Sequence, residues 1–136
     1  ELSMIADESS PLLSIVIPAY DEEKRIQRML QDAHDFLHSS KGAVALKVLE
    51  KHSQVYFGSP GQGLEWVVVD DGSKDDTEGV VKATFDAIRS EDRWTILSLK
   101  DNSGKGAAVK TGMTQANGFF RIMVDADGAT DFGPAF

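Results

Sequence analysis

The chain alternates short, strongly apolar runs with longer stretches in which apolar residues recur at helical spacing, and this alternation constrains its fold more than any other feature. The apolar runs are LLSIVIP (12–18), EWVVVD (65–70), WTILSL (94–99) and FFRIMV (119–124). Runs this short, rich in β-branched residues and without polar alternation, are typical of strands buried on both faces of a parallel sheet. The segments between them are long enough for crossover connections. The sequence therefore predicts an α/β domain of β-α-β-α-β-α-β order.

Helical spacing is clearest after the first apolar run, where residues 22–37 carry one apolar stripe. A second helix is expected after residue 76, with Ser73 and Asp76 as a capping pair, and a third over 107–116. Residues 40–64 are less regular. We expect AVALKVLE to extend or repeat the first helix, and YFGSPGQG to form a surface loop.

Polar clusters follow all four apolar runs: PAYDEE (18–23), DDGS (70–73), NSGKG (102–106) and DADG (125–128). Because the carboxyl ends of parallel strands share one edge of the sheet, we expect these clusters to meet beside Lys105. The acids concerned are Asp21, Glu22, Asp70, Asp71, Asp125 and Asp127. Acids that crowd together repel one another unless a cation lies among them, and hard oxygen ligands suit Mg²⁺ or Mn²⁺.

Composition removes several classes of function. The chain has 136 residues, enough for one domain, and contains no cysteine, which excludes disulfide scaffolds, thiolate metal sites and cysteine nucleophiles. Its net charge of −8, with no basic stripe, argues against a nucleic acid partner. No apolar run approaches the roughly 20 residues of a membrane span. Because the sequence begins with Glu1, we expect a piece of a longer protein, with residues 1–11 as a flexible lead-in.

Three weaker motifs allow a plain structural interpretation. His34 and His38 differ from a zinc-protease pair only in that Asp35 replaces the glutamate, but no third ligand is evident and surface histidines are expected. The sequence GSPGQG precedes a strand and is interpreted as a loop rather than a dinucleotide motif. The lysine of NSGKG either lies at a helix amino end that binds an anion, or is a solvated residue in a flexible turn.

Four motifs in this order, SIVIPAYDEE, VVVDDGSKDDT, DNSGKGAAVKTG and MVDADGAT, resemble the nucleotide-sugar domain of the family 2 inverting glycosyltransferases, which have the GT-A fold. The resemblance extends from about Pro11 to Phe132. It implies that residues 12–136 form the Rossmann-like, N-terminal, donor-binding half of a GT-A domain that continues after Phe136. The Gly-Ala-Thr that follows D-A-D favours family members that transfer glucose to dolichyl phosphate over the related mannosyltransferases.

The resemblance also implies roles for individual residues. Asp71 would hydrogen-bond the uracil, Asp125 would contact the ribose or sugar, and Asp127 would bind the divalent metal. The family usually has asparagine where this chain has Asp21. The implied nucleotide-binding set is Pro18, Ala19, Tyr20, Glu22, Asp70, Asp71, Ser73, Lys105 and Gly106.

As a whole, the resemblance implies an enzyme that uses UDP-glucose, with Mg²⁺ or Mn²⁺, to glucosylate dolichyl phosphate for N-glycan precursors. It further implies the endoplasmic reticulum membrane, with the active domain facing the cytosol and membrane contact only through segments absent from this sequence. The acceptor half and any catalytic carboxylate are expected after Phe136, so we expect this chain alone not to turn over.

Other functions fit part of the pattern. MVDADGAT resembles the strand-D-x-D-G-T opening of a Mg²⁺-dependent phosphotransferase of the haloacid dehalogenase type, although that motif should open its domain. A response-regulator receiver also has an acidic pocket and a lysine, but with acids on its first and third strands. A non-catalytic nucleotide-binding module remains a third alternative.

Overall fold

A four-stranded parallel sheet organises the part of the chain that the computed structural model describes, residues 10–127. The strands are β1 (Leu13–Ala19), β2 (Leu64–Asp70), β3 (Arg93–Ser98) and β4 (Phe120–Met123). Their spatial order is β3-β2-β1-β4, and every neighbouring pair is parallel. The predicted α/β class and element order are confirmed.

The two central strands are buried along their whole length, as their uniformly apolar sequences predict. Successive side chains of a strand point to opposite faces. Ile15 and Ile17 accordingly belong to one hydrophobic core, and Val16 belongs to the core on the other face. In β2, Val68 faces the first core and Val67 faces the second.

Helices cover both faces of the sheet. They are α1 (Ile26–Leu37), α2 (Ser40–Phe57), α3 (Thr77–Ile88) and α4 (Lys105–Gln115). Residues of α1 and α3 pack into the first core, whereas Ala108 of α4 packs into the second, and α2 lies against α1. Right-handed crossovers place helices on both faces here because the chain crosses the sheet one way from β1 to β3 and the other way from β3 to β4.

Helix α4 approaches the sheet closely because a glycine faces it. A side chain carbon at Gly112 would overlap Val16 and lie 3.0 Å from Val69 Cγ2. The small residues of this helix therefore bring its backbone against β1 and β2, which fixes the position of Lys105 at its first turn.

Helix α1 begins at Ile26 rather than at residue 22, because the preceding segment bonds to a distant loop. The backbone N–H of Glu22 donates to Thr77 Oγ1 at 2.9 Å, and that of Glu23 donates to Asp75 Oδ2 at 3.2 Å. These bonds join the loop after β1 to the loop after β2.

The expectation that residues 43–50 extend or repeat the first helix is met by a separate helix, α2. Ser39 begins it, since its hydroxyl accepts from the backbone N–H of Gly42 at 3.2 Å. Gly58, with φ of 75°, ends it in the left-handed conformation. The predicted loop YFGSPGQG is confirmed over residues 58–63 but wrong for Tyr56 and Phe57, which belong to the last turn of α2.

The predicted capping pair of Ser73 and Asp76 is wrong. Helix α3 begins at Thr77, and Asp76 occupies the cap position without a side-chain capping bond. Asp75 Oδ1 instead accepts from the backbone N–H of Thr77 at 3.0 Å. Ser73 Oγ accepts from the backbone N–H of Asp21 at 2.9 Å, so this serine serves the neighbouring loop.

Two predictions lie at the limits of the described residues. Ser10 and Pro11, assigned to the lead-in, are buried, and their carbonyls accept from the backbone N–H groups of Gln62 and Phe119. Residues 1–9 and 128–136, which include Gly128 of the last motif, lie outside the described residues. None of the helices from α1 to α4 has the length and apolar character that crossing a bilayer requires.

Candidate functional site

The carboxyl ends of the four strands surround a cavity of about 340 Å³. The loops after β1, β2 and β3 and the segment after β4 all contribute to it, as the parallel topology predicts. Its lining consists of Pro18, Ala19, Tyr20, Glu22, Asp71, Asn102, Gly104, Lys105, Ala108, Asp125, Ala126 and Asp127. Four carboxylates and one lysine therefore converge on one concave surface.

Asp71 connects two of the loops around this cavity. Its carboxylate is buried, and it accepts from the backbone N–H of Ser103 at 2.7 Å and of Gly104 at 2.9 Å. Its own backbone N–H donates to Ala19 O at 2.8 Å. The adjacent Gly72, with φ of 70°, lies so close to the loop that an added Cβ would be 2.6 Å from Asn102 N. The end of β2 is therefore held against the loop that follows β3.

Asp70 and Ser73 do not line the cavity and instead shape the turn after β2. Asp70 Oδ1 accepts from the backbone N–H of Ser73 at 3.0 Å. Asp21, which lies in the loop after β1, also stabilises the turn after β2, because its Oδ1 accepts from the backbone N–H of Lys74 at 2.8 Å. With φ of 52°, Asp21 adopts the left-handed conformation that asparagine and aspartate tolerate best, and both residues offer the same Oδ1 acceptor. The expectation that Asp21 and Asp70 face the acidic cluster is wrong for this reason.

Lys105 and Asp125 form an ion pair at the mouth of the cavity, with Nζ and Oδ1 2.5 Å apart. The hydrogen bond and charge of Asp125, together with the charge of Asp127, raise the pKa of Lys105. The lysine is solvent-exposed and begins α4, whose first backbone N–H groups point toward the same edge. Lys105 therefore agrees with parts of both interpretations of NSGKG, because it is solvated and also lies at the amino end of a helix.

Glu22 is the least exposed carboxylate of the group after Asp71. Its Oε1 pairs with the Arg25 guanidinium, and the residue lines the cavity. The carboxylates of Glu22, Asp125 and Asp127 provide hard oxygen donors of the type that Mg²⁺ and Mn²⁺ prefer. The donor chemistry of these three side chains therefore suits a divalent cation.

Most of the residues expected from the sequence lie around this cavity. Of the predicted set, Asp70, Ser73 and Gly106 do not contribute to its lining. Four lining residues were not predicted, namely Asn102, Gly104, Ala108 and Ala126. Asn102 and Gly104 belong to the NSGKG motif and could have been included on that ground. Ala108 could have been found because it lies one turn before Gly112 on the sheet-facing side of α4.

The expectation of surface histidines is wrong for His34, whose side chain is only 15% exposed, whereas His38 is 45% exposed. Both rings lie near Asp92, at the opposite edge of the sheet from the cavity. Burial, followed by the nearby His38, lowers the pKa of His34, against the opposing influence of Asp92 and Asp35.

Comparison with known families gives a match to the model described as "Glycosyl transferase family 2", over residues 14–133. Among curated proteins, dolichyl-phosphate β-glucosyltransferase from Dictyostelium discoideum is 39% identical over 120 residues, which are 88% of this chain and 32% of that protein. The protein of the same name from Homo sapiens is 37% identical over 131 residues, 96% of this chain and 36% of that protein. The chain thus spans about a third of the length of the curated relatives it matches.

Solved structures show the same fold. Residues 1–349 of S. aureus TarS, in complex with UDP, align with a TM-score of 0.60 at 26% identity, over 85% of this chain and 27% of that one. The mannosyltransferase PcManGT from Pyrobaculum calidifontis, in complex with GDP-Man and Mn²⁺, aligns with a TM-score of 0.63 at 22% identity, over 90% and 29% respectively. The latter likeness is one of fold alone.

Proposed function

Since this chain belongs to glycosyl transferase family 2, we propose that its residues 12–136 form the donor-binding part of an enzyme that transfers glucose from UDP-glucose to dolichyl phosphate. One observation carries the proposal: the ends of all four strands converge on a single cavity lined by Glu22, Asp71, Lys105, Asp125 and Asp127. The names of the curated relatives support the acceptor and the sugar, and the UDP complex of a structural neighbour supports the nucleotide.

The uridine would bind between the loop after β1 and the loop after β2. Asp71 Oδ1 and Oδ2 each receive one backbone N–H, and each oxygen retains a lone pair. One of these would accept the imide N–H of uracil, while Pro18, Ala19 and Tyr20 pack beside the nucleoside. Asp70 and Ser73 would support this arrangement indirectly, because they fix the turn that follows Asp71.

The diphosphate would lie over the amino end of α4. Lys105 carries a positive charge there, and the first N–H groups of the helix favour an anion. Gly106 follows within the same turn and leaves the backbone accessible, because nothing lies within 4 Å of the position of a Cβ. Asp125 would exchange its bond with Lys105 for one with a ribose or sugar hydroxyl.

Asp127 is the residue that would hold the divalent metal, and the negatively charged Glu22 and Asp125 line the same cavity. A bound cation of this kind neutralises the negative charge that develops on a diphosphate leaving group. Mg²⁺ and Mn²⁺ have the same preference for oxygen ligands, and both fit this set.

Inverting transfer needs the acceptor oxygen to attack the anomeric carbon while the bond to the diphosphate breaks. A lipid phosphate is largely dianionic near neutral pH, since its second pKa is about 6, and such a nucleophile needs little help from a general base. The role of this part of the chain would therefore be to orient the donor and stabilise the leaving group. We propose that the reaction serves N-glycan precursor synthesis at the endoplasmic reticulum membrane, on its cytosolic face.

The proposal is tested by calorimetric titration of UDP-glucose into the chain, with and without Mn²⁺. The expected result is binding that depends on the metal and weakens at least tenfold in Asp127→Asn. Asp86→Asn is the matched control, because it makes the same chemical change at an exposed position of α3. GDP-mannose in place of UDP-glucose should bind more weakly if Asp71 reads the base.

Equal binding by Asp127→Asn and the unchanged chain would contradict the metal assignment. If UDP-glucose gives no heat of binding with a folded sample in the presence of Mn²⁺, the claim that residues 12–136 form a donor site is contradicted. Hydrolysis of p-nitrophenyl phosphate that depends on Asp125 would instead favour the phosphotransferase alternative. Binding of UDP as tight as that of UDP-glucose would favour a nucleotide-binding module.

A further inference from the structure

Three potential metal ligands meet where the amino ends of the strands lie, on the opposite side of the sheet from the donor cavity. We call this side the amino edge and the side of the donor cavity the carboxyl edge. His34 and His38 lie one turn apart near the end of α1, and Asp92 lies directly before β3. One ligand atom from each of the three lies within 4.8 Å of the others. The helix supplies two ligands at i and i+4, and the third comes from a segment more than fifty residues later in the chain.

The distances between these atoms are close to those of a tetrahedral metal centre. Asp92 Oδ2 lies 2.9 Å from His38 Nε2 and 3.7 Å from His34 Nε2. With metal–ligand bonds of about 2.0–2.2 Å, the donors of a tetrahedral zinc site lie roughly 3.4 Å apart. The centroids of the two imidazole rings are 4.2 Å apart.

Two further contacts favour a ligand at this point. His34 Nε2 is buried and makes no hydrogen bond to any of the residues in the described range 10–127. The side chain of Asp92 is also oriented by a hydrogen bond, because Trp66 Nε1 donates to its Oδ2 at 2.9 Å. A hydrogen bond from a neighbouring donor to a ligating carboxylate is the usual second layer of a protein metal site.

We propose that His34, His38 and Asp92 form a binding site for Zn²⁺ or a similar first-row transition ion, with water as the fourth ligand. Two imidazole nitrogens and one carboxylate suit such an ion, whereas the all-oxygen edge around Asp127 suits Mg²⁺ or Mn²⁺. A cavity of about 690 Å³ beside the three residues gives water access to the fourth position. The two edges of the sheet would therefore select different metals.

Occupancy would strengthen the link between the end of α1 and the start of β3. The ion would connect the end of α1 to the start of β3 and replace the bond between His38 Nε2 and Asp92 Oδ2. Because the ion binds the folded chain and not the unfolded one, it should raise the melting temperature in proportion to the logarithm of its concentration.

The test is calorimetric titration of ZnCl₂ into the tag-free chain without nucleotide, followed by the variants His38→Ala and Asp92→Asn. We expect one ion per chain and an affinity that falls at least tenfold in each variant. His52→Ala is the matched control, since His52 is the third histidine of the chain and lies on an exposed part of α2. Its affinity should equal that of the unchanged chain.

A second readout separates a metal site from a merely structural hydrogen bond. Four-coordinate Co²⁺ has intense visible absorption, which should appear in the unchanged chain and in His52→Ala and disappear in His38→Ala. His38 is half-exposed, and asparagine at position 92 retains an acceptor for Trp66, so both variants should fold, as their melting curves without metal would verify.

The proposal is overturned if the unchanged chain binds no zinc, or if His38→Ala binds it equally well. It is also overturned if binding survives both variants and disappears in Asp127→Asn, since the ion would then lie at the donor edge. The donor proposal is tested by UDP-glucose binding and this one by zinc binding in His38→Ala and Asp92→Asn, so the two proposals fail independently.

Discussion

At the amino edge of the sheet, the carboxylate of Glu65 accepts hydrogen bonds from other residues of the protein. At the carboxyl edge, Asp125 and Asp127 instead face a cavity. Glu65 accepts from Ser14 Oγ at 2.6 Å, from Asn117 N at 2.7 Å and from Asn117 Nδ2 at 2.9 Å. Gly118 N completes the network by donating to Ser14 Oγ. Glu65 at one edge therefore holds β1, β2 and the turn before β4 together, whereas the carboxylates of Asp125 and Asp127 at the other edge line a cavity.

Burial of a carboxylate therefore does not by itself indicate a ligand, because donors within the protein can account for it, as they do for Glu65. Asp71 combines the two cases, because it fixes the loop of Ser103 and Gly104 and also lines the cavity. Replacing it with alanine would disturb binding and loop structure together, so Asp71→Asn is the more informative change. The remaining predictions separate the two edges by stability and by binding.

The largest loss of stability is expected from Glu65→Ala. It leaves the buried Ser14 hydroxyl and the Asn117 N–H without an acceptor, which should lower the free energy of unfolding by about 2–4 kcal/mol. Urea denaturation measures this, with the exposed Glu91→Ala as control. UDP-glucose affinity should stay the same, and a parallel loss of binding would contradict the division of roles between the edges.

The next largest effect is expected from Gly112→Ala, in the helix that runs from one edge to the other. The added methyl group would overlap Val16, and overpacking of this kind costs about 1–3 kcal/mol. Gly106→Ala in the same helix has open space around its Cβ position and should be neutral or stabilising by up to about 1 kcal/mol. The melting temperature should fall in Gly112→Ala and stay the same or rise in Gly106→Ala; equal shifts would contradict the close packing of α4.

Acid should weaken the amino edge through Glu65. Burial alone would raise the pKa of this carboxyl, but the bonds from Asn117 and Ser14 outweigh it and hold the pKa below its ordinary value of 4.5. The stabilisation is therefore present above pH 4.5 and disappears as the pH falls through the lower folded value. Urea midpoints measured across this range should fall less steeply in Glu65→Gln; parallel curves would contradict the account.

The smallest effect on stability is expected from Lys105→Gln. The lysine is exposed, and its pair with Asp125 should contribute nothing measurable to unfolding. Affinity for UDP-glucose should nevertheless fall about tenfold, since a charged contact to the diphosphate is lost. Calorimetry and melting curves on one sample would test both statements. Lys110→Gln, further along the same helix, is the control.

The sequence was sufficient to predict the sheet because its strands are uniformly apolar, and a strand such as Val67–Val69 allows few alternatives. The starts of α1 and α3 were not predictable, since they depend on bonds between residues 21–25 and 73–77 that join loops about fifty residues apart. The same separation in sequence hid the partners of Glu65, which the sequence alone presents as an ordinary strand residue.

The location of the candidate site at the carboxyl ends of the strands could be predicted from the sequence, but its individual contacts were less predictable. Strand ends determine which residues can converge, so Glu22, Asp71, Asp125 and Asp127 were found from their positions alone. Whether a side chain faces the cavity or a backbone N–H depends on turn geometry, which the sequence does not specify. For this reason the sequence did not show that Asp70 and Ser73 bond within the turn and do not line the cavity. The histidine cluster was missed because Asp92 has no relation to HDFLH in the sequence.

The most direct test of the division between the edges is hydrogen–deuterium exchange of the chain with and without UDP-glucose and Mn²⁺. The account predicts slower exchange in the loops at 18–22, 71–73 and 101–106, and unchanged exchange at 58–64 and 116–118. Protection at the amino edge, or equal protection at both, would contradict the claim that the carboxyl edge binds the donor while the amino edge holds the sheet.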